Sequence, residues 1–222
     1  LRAVIWVIGR PVGQRQNLAG FDIRHDDATT LGIKFIGRIT QRVKSDELNL
    51  GVDRQLDVIA ALGTHQPMTE EQFCQRLEIT AEERRGTYGR VQFFNHEWDN
   101  PQALRRVGTI SRDEIAALTE GRFAMDVPVE INARVFDYDE ILIVGPVFPH
   151  EVVGMSGGNK YLFPGVSGPD ILNFFHWLGA VVTNMGIIGN PNTPVRAVVD
   201  RAGAMVPIPK KCFALVDRKS TR

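Results

Sequence analysis

The run EILIVGPV, Glu140 to Val147, is apolar along nearly its whole length and reads as a buried strand. It delivers Pro149 and His150 at its C-terminal end. Leu56 to Leu62 (LDVIAAL) reads the same way and runs into Gly63, Thr64 and His65. Ala3 to Ile8 and Val91 to Phe94 are further strand candidates. Val127 to Val135 alternates apolar and polar as a half-buried strand does, although Ile131 to Phe136 also suits a helix. Between these runs, Thr69 followed three residues later by Gln72 has the capping-box form, which predicts a helix from about Glu70 to Leu77. Strands alternating with helices predict an α/β fold, a layered sheet with flanking helices. In open α/β sheets ligands bind beyond the C-terminal strand ends, where this reading puts His65 and His150.

The segment after His150 carries the densest chemistry. It reads PHEVVGMSGGNKYLFPGVSGPDILNFFH from Pro149 to His176. Its glycines and Lys160 fit neither the phosphate loop G-x-x-x-x-G-K-S/T, because Tyr161 follows the lysine, nor G-x-G-x-x-G. Ser156 lacks nucleophile-elbow spacing, since a glycine follows it directly. His150-Glu151 is not continued into the HExxH of a zinc hydrolase. On a helical wheel, Ile171, Phe174, Phe175, Leu178 and Val182 form one stripe, and His176 falls off it beside Asn173 and Ala180. A core histidine would sit on the stripe. Of the five histidines, His65, His150 and His176 thus share a context of strand ends and a non-core helix face. His96 also follows a strand but has no partner motif, and reads as structural.

The charge balance excludes a generally basic surface for nucleic acid, with 26 basic and 26 acidic residues. Cys74 and Cys212 stand far apart with no CxxC, as in a reducing compartment. LRAVIWVIG lacks a signal-peptide cleavage pattern, and the apolar segment Ile171 to Gly189 is broken by Asn173, His176, Thr183 and Asn184. The expectation is a soluble, cytoplasmic protein with no membrane partner. No Met opens the chain and DRKSTR closes it, so it reads as a fragment. Residues 1–209 are expected to form the domain, with 210–222 a tail of non-native character.

The motifs G-T-H-x-P-M-T-E (from Gly63) and P-H-x-x-x-G-x-S-G-G-x-K (from Pro149), with Gly189-Asn190-Pro191, resemble the lactate racemase family. The resemblance runs from about Phe21 to Pro209. It implies the N-terminal, cofactor-binding domain of a two-domain α/β enzyme whose C-terminal domain lies outside this chain. It further implies racemisation or epimerisation of a 2-hydroxy acid by proton-coupled hydride transfer. The implied cofactor is nickel in a nickel-pincer nucleotide, a pyridinium thioamide/thiocarboxylate mononucleotide tethered covalently to Lys160. By the same resemblance His176 is the nickel ligand, and His65 and His150 are the catalytic acid/base pair. Asp27, Ala28, Thr29 and Thr30 meet the nucleotide, and Gly157 and Gly158 let the backbone approach it. The implied partners are the small-molecule 2-hydroxy acid, the second domain and the cofactor-making enzymes.

Where the family pattern ends Asp-x-Thr-Arg, this chain has Thr30, which cannot reproduce a guanidinium's bidentate contact. Two other readings therefore stand beside the racemase. One is a nucleotide- or metal-binding homologue without turnover. The other is a metal-dependent hydrolase with His65, His150 and His176 as ligands.

Overall fold

In the computed structural model, which describes residues 3–8, 56–77, 79–182 and 184–216, the Glu140–Val147 strand lies inside a five-stranded sheet. Numbered along the chain, the strands of that sheet are β1 (Ala3–Ile8), β2 (Leu56–Ala61), β3 (Phe93–Asn95), β6 (Glu140–Val147) and β9 (Lys210–Val216). Their spatial order is β3-β2-β1-β6-β9. The central β1 is antiparallel to both neighbours, with Ala3 opposite Ala61 and Val4 opposite Val144. β3 is parallel to β2, and β9 is parallel to β6. Four strands therefore point the same way and release their C-terminal ends at one edge. His65 and His150 follow two of those ends, as expected.

The apolar runs are explained by burial on both faces. Val58, Ala60, Leu62, Leu142 and Val144 pack with Met68, Phe73 and Leu77 around helix α1 (Glu70–Arg76). Ile59, Ile141 and Ile143 face the other way, into a larger cluster with Ile171, Phe174, Phe175, Leu178, Val195 and Val199. Those residues belong to helices α4 (Pro169–Val182) and α6 (Pro194–Ala204), with the short α5 (Asn184–Ile187) between them in the chain. At about 1.5–3 kcal/mol for each large apolar side chain fully buried, these two layers are the main source of the fold's stability. The capping box of α1 is complete, with Thr69 and Gln72 each accepting from the other's backbone N–H.

Helix α2 (Ala81–Arg85) and the hairpin of β4 (Leu104–Ile110) with β5 (Val127–Asn132) complete the first half, with α3 (Arg112–Leu118) between the two hairpin strands. Both readings of Val127 to Val135 hold in part. The strand ends at Asn132, whose side chain accepts from Arg134 N–H and starts a 3-10 turn over Ala133–Asp137. The strand expected from Val91 starts at Phe93 instead. Val91 N–H is held by Tyr88 O in the preceding turn, and Gln92 N–H donates to the buried carboxylate of Asp57.

The expected boundary at 209 is corrected. Lys210–Val216 is not a tail but the edge strand β9, paired from Ile141–Lys210 to Val147–Val216. Its basic residues suit an exposed sheet edge: Lys211 pairs with Glu140 at 2.8 Å, and Lys210 Nζ caps the carbonyls of Val206 and Ile208. Among the described residues no helix is long and apolar enough to cross a membrane.

Candidate functional site

The site begins where β6 runs out. After Val147 the chain turns through a short hairpin, β7 (Pro149–His150) against β8 (Gly154–Met155). Ser156 locks this hairpin to β6: its hydroxyl donates to Pro146 O at 2.9 Å and accepts from Phe148 N–H at 2.9 Å. Buried and with its hydrogen committed, Ser156 is a structural bridge and not a nucleophile. The His150 side chain is largely buried, and its Nδ1 accepts from Val152 N–H at 3.0 Å. In the neutral ring the hydrogen therefore sits on Nε2. Charging Nδ1 would require releasing the Val152 bond, with the Glu151 carboxylate 3.8 Å away as the replacement partner.

Gly157 and Gly158 follow with φ of +90° and +58°, values open to glycine at little cost. They turn the chain into a single 3-10 turn, Gly158–Tyr161, which carries Lys160. Burial pushes the Lys160 amine below the ordinary lysine range, partly opposed by Glu151. A lowered pKa raises the share of free amine, the nucleophilic form, at any given pH. Burial also lowers the His150 pKa, followed by the positive charge of Lys160; Glu151 opposes, and His176 adds a further lowering. Lys160 and His176 thus both lie within electrostatic reach of His150.

His176 stands on α4, exposed, off the buried stripe of Ile171, Phe174, Phe175 and Leu178. The wheel reading of the sequence is correct here. Its Nδ1 lies 2.9 Å from the Leu172 carbonyl, which can only accept, so Nδ1 carries the hydrogen. Nε2 is left with an unshared pair, the arrangement of a metal-ligating histidine whose second nitrogen is held by a carbonyl.

The His65 turn joins this assembly through its backbone. Gly63 N–H donates to Gly165 O at 2.8 Å, and His65 N–H to Leu62 O at 3.0 Å. This ties the end of β2 to the turn that follows Lys160, with the His65 side chain exposed on it. Asp27, Ala28, Thr29 and Thr30 lie outside the described residues. His96 is structural, as expected. Its Nε2–H donates to Ser167 O at 2.9 Å and its Nδ1 accepts from Asn132 Nδ2 at 3.2 Å, fully buried between β3, β5 and the start of α4.

Glu151 is the residue that sequence reasoning passed over. It was visible only as the failed second position of HExxH, yet its carboxylate acts on both Lys160 and His150. Among the described residues no three His, Cys, Asp or Glu side chains converge as a metal-binding set. The donors present stand singly: the Lys160 amine on its 3-10 turn, and the His176 imidazole with Nε2 unshared.

Residues 37–186 match the family model described as the lactate racemase N-terminal domain. No curated protein matches the chain. A structural-genomics protein from Thermotoga maritima is similar in structure, with a TM-score of 0.70 and 30% identity over 89% of this chain and 45% of its own. The lactate racemase apoprotein from Thermoanaerobacterium thermosaccharolyticum shares the fold, with a TM-score of 0.55 and 16% identity over 82% of this chain and 39% of its own. The chain thus spans less than half the length of either structure. With the family match extending over more than half of its length, the chain belongs to the lactate racemase N-terminal domain family.

Proposed function

We propose that the chain is the cofactor-holding part of a racemase or epimerase of a 2-hydroxy acid that depends on a nickel-pincer nucleotide and works by proton-coupled hydride transfer. The observation that supports this reading is the placement of Lys160: a half-buried amine on the glycine turn after His150, with His176 on α4 acting on the same His150 and keeping its Nε2 unshared. Lys160 would tether the nucleotide through a thioamide, and His176 would ligate nickel. When bound, the group supplies a two-electron acceptor for the substrate's Cα–H bond.

The chain's own residues supply the proton chemistry. The Cα–H of a 2-hydroxy carboxylate beside an ionised carboxylate is barely acidic, so inversion is easier by way of the planar 2-keto acid. Reaching that level requires a base on the substrate hydroxyl, and returning from it requires an acid. Two enantiomers present the hydroxyl in two orientations, which calls for one group on each side. His65 and His150 are assigned these roles, at the ends of β2 and β6 on one sheet edge. In the resting tautomer His150 Nδ1 accepts from Val152 N–H, so acting as a base requires the ring to exchange that bond and free a nitrogen for the substrate hydroxyl. A second domain is assigned the rest of the substrate pocket, and cofactor-making enzymes the loading of Lys160.

Nickel content together with intact mass, after coexpression with the cofactor-making enzymes, separates the readings. The racemase reading requires one nickel and an added mass. A three-histidine hydrolase would hold metal without an adduct, and a binding-only homologue would show neither. An unmodified chain under those conditions overturns the proposal.

A further inference from the structure

Helix α6 meets the Lys160 loop along a single face. Thr193 (its N-cap), Arg196, Asp200 and Gly203 follow one another at spacings of three, four and three, which places them in one row. Opposite them lie Val153, Met155, Gly157 and Asn159, every second residue of the segment that leads to Lys160. Thr193 Oγ1 donates to Val153 O at 3.2 Å while accepting Arg196 N–H at 3.0 Å. Arg196 Nη1 donates to Gly157 O at 3.1 Å, with Met155 O at 3.5 Å. Asp200 holds Arg196 Nε at 3.4 Å through one carboxylate oxygen and accepts from Asn159 Nδ2 at 3.0 Å through the other. At Gly203 the loop comes so close that an added Cβ would stand 2.4 Å from Asn159 Cγ.

We propose that α6 is a clamp that sets the position of Lys160, with Arg196, Asp200 and Gly203 as positioning residues for that amine. This rests on the reading that Lys160 carries the cofactor. The turn at Gly157 and Gly158 is conformationally permissive, so it does not hold its own shape. The guanidinium fixes the Gly157 carbonyl, and the Asp200–Asn159 bond fixes the residue just before Lys160. Lysine at 196 could not reproduce this, because a point charge lacks the planar fork that addresses a carbonyl and a carboxylate together. A held loop keeps the Lys160 amine aimed at one place, which is how a covalent link gains from pre-organisation.

The test uses the 222-residue chain without cofactor. Acetylation by a small amine-reactive ester is followed at Lys160 by peptide mass mapping across pH, with Lys211 as the internal reference. The charged groups facing Lys160, Glu151 and His150, are left unchanged. The wild-type midpoint is expected below the ordinary lysine value of 10.5. Arg196→Met and Gly203→Ala are each expected to move it upward by about one pH unit, as the loop opens and the amine is hydrated. Asn159→Ala, which removes the bond to Asp200, should move it in the same direction. A purely structural α6 would lower thermal stability and leave the midpoint of the folded chain where it was. Unchanged midpoints in folded Gly203→Ala and folded Asn159→Ala overturn the clamp. If Arg196→Met does not fold, the Gly203 and Asn159 variants decide alone. A Lys160 that never acquires the nucleotide would defeat the functional reading without touching this result.

Discussion

The Nδ1 of His176 donates to the carbonyl of Leu172, 2.9 Å away and one turn back on α4. The bond fixes the tautomer and leaves Nε2 free on the exposed side of the helix. Because the ring fills no core space, its loss would remove the proposed nickel ligand and little else. His176→Ala is expected to abolish nickel retention in cofactor-loaded protein while changing stability by no more than about 0.5 kcal/mol. Metal analysis beside thermal denaturation checks this. A folded His176→Ala chain that keeps stoichiometric nickel would assign the ligand elsewhere.

Ser156 invites a nucleophile reading that its bonds deny. Ser156→Ala orphans Phe148 N–H and removes the donor to Pro146 O, so a loss of about 1–3 kcal/mol is expected. Covalent loading of Lys160 should persist in the folded fraction. Urea midpoints and intact mass measure the two effects. A variant of unchanged stability that loses all loading would point to a chemical role for the hydroxyl.

What was legible in the sequence was what local rules govern. The β6 run, the Thr69–Gln72 box and the off-stripe position of His176 each need only a short window. Helix α2 has the same box, Thr80 with Glu83, but buries no residue and so leaves no apolar period to read. The order β3-β2-β1-β6-β9 depends on pairings far apart in the chain, and so does β9, whose Lys210 and Lys211 look like a solvated tail until β6 is beside them. The Arg196–Gly157 bond spans 39 positions and no motif announces it. Of the candidate site, the strand-end places of His65 and His150 and the off-stripe place of His176 were readable. The clamp and the electrostatic role of Glu151 were not, because they exist only once separate segments have met.

His96 makes stability pH-dependent. Its folded pKa lies below 6.5 chiefly because of burial, opposed by its bond to Ser167 and by Glu97 and Asp99. Below 6.5 the unfolded chain binds the extra proton first, so stability is full above that value and declines as pH falls towards the folded pKa. His150, also lowered, contributes with the same sign. Denaturation midpoints from pH 8 down to pH 5 should fall in wild type. His96→Leu should be less stable at pH 8 and show a shallower decline. An equal slope in both chains would remove His96 from the account.

In an enzyme completed by its second domain, His65→Ala and His150→Ala should each suppress racemisation in both directions, by about 10²–10⁴-fold. Both should keep cofactor and nickel, since neither residue is proposed as a tether or a ligand. With one base left, each variant should still oxidise one enantiomer in a single turnover, and the two variants should prefer opposite enantiomers. Stopped-flow mixing with each enantiomer measures this. Wild-type racemisation in either variant would exclude that histidine as a base, and loss of nickel in both would make the pair metal ligands.

The central claim is that Lys160 carries the cofactor. The direct measurement is peptide mass mapping of the chain coexpressed with the cofactor-making enzymes, wild type beside Lys160→Arg. Arginine keeps the charge but lacks the primary amine that forms a thioamide. The account predicts an added mass on the Lys160 peptide of wild type with one nickel per chain, and no adduct on a folded Lys160→Arg chain. An unmodified Lys160 peptide in nickel-loaded, active protein would contradict it.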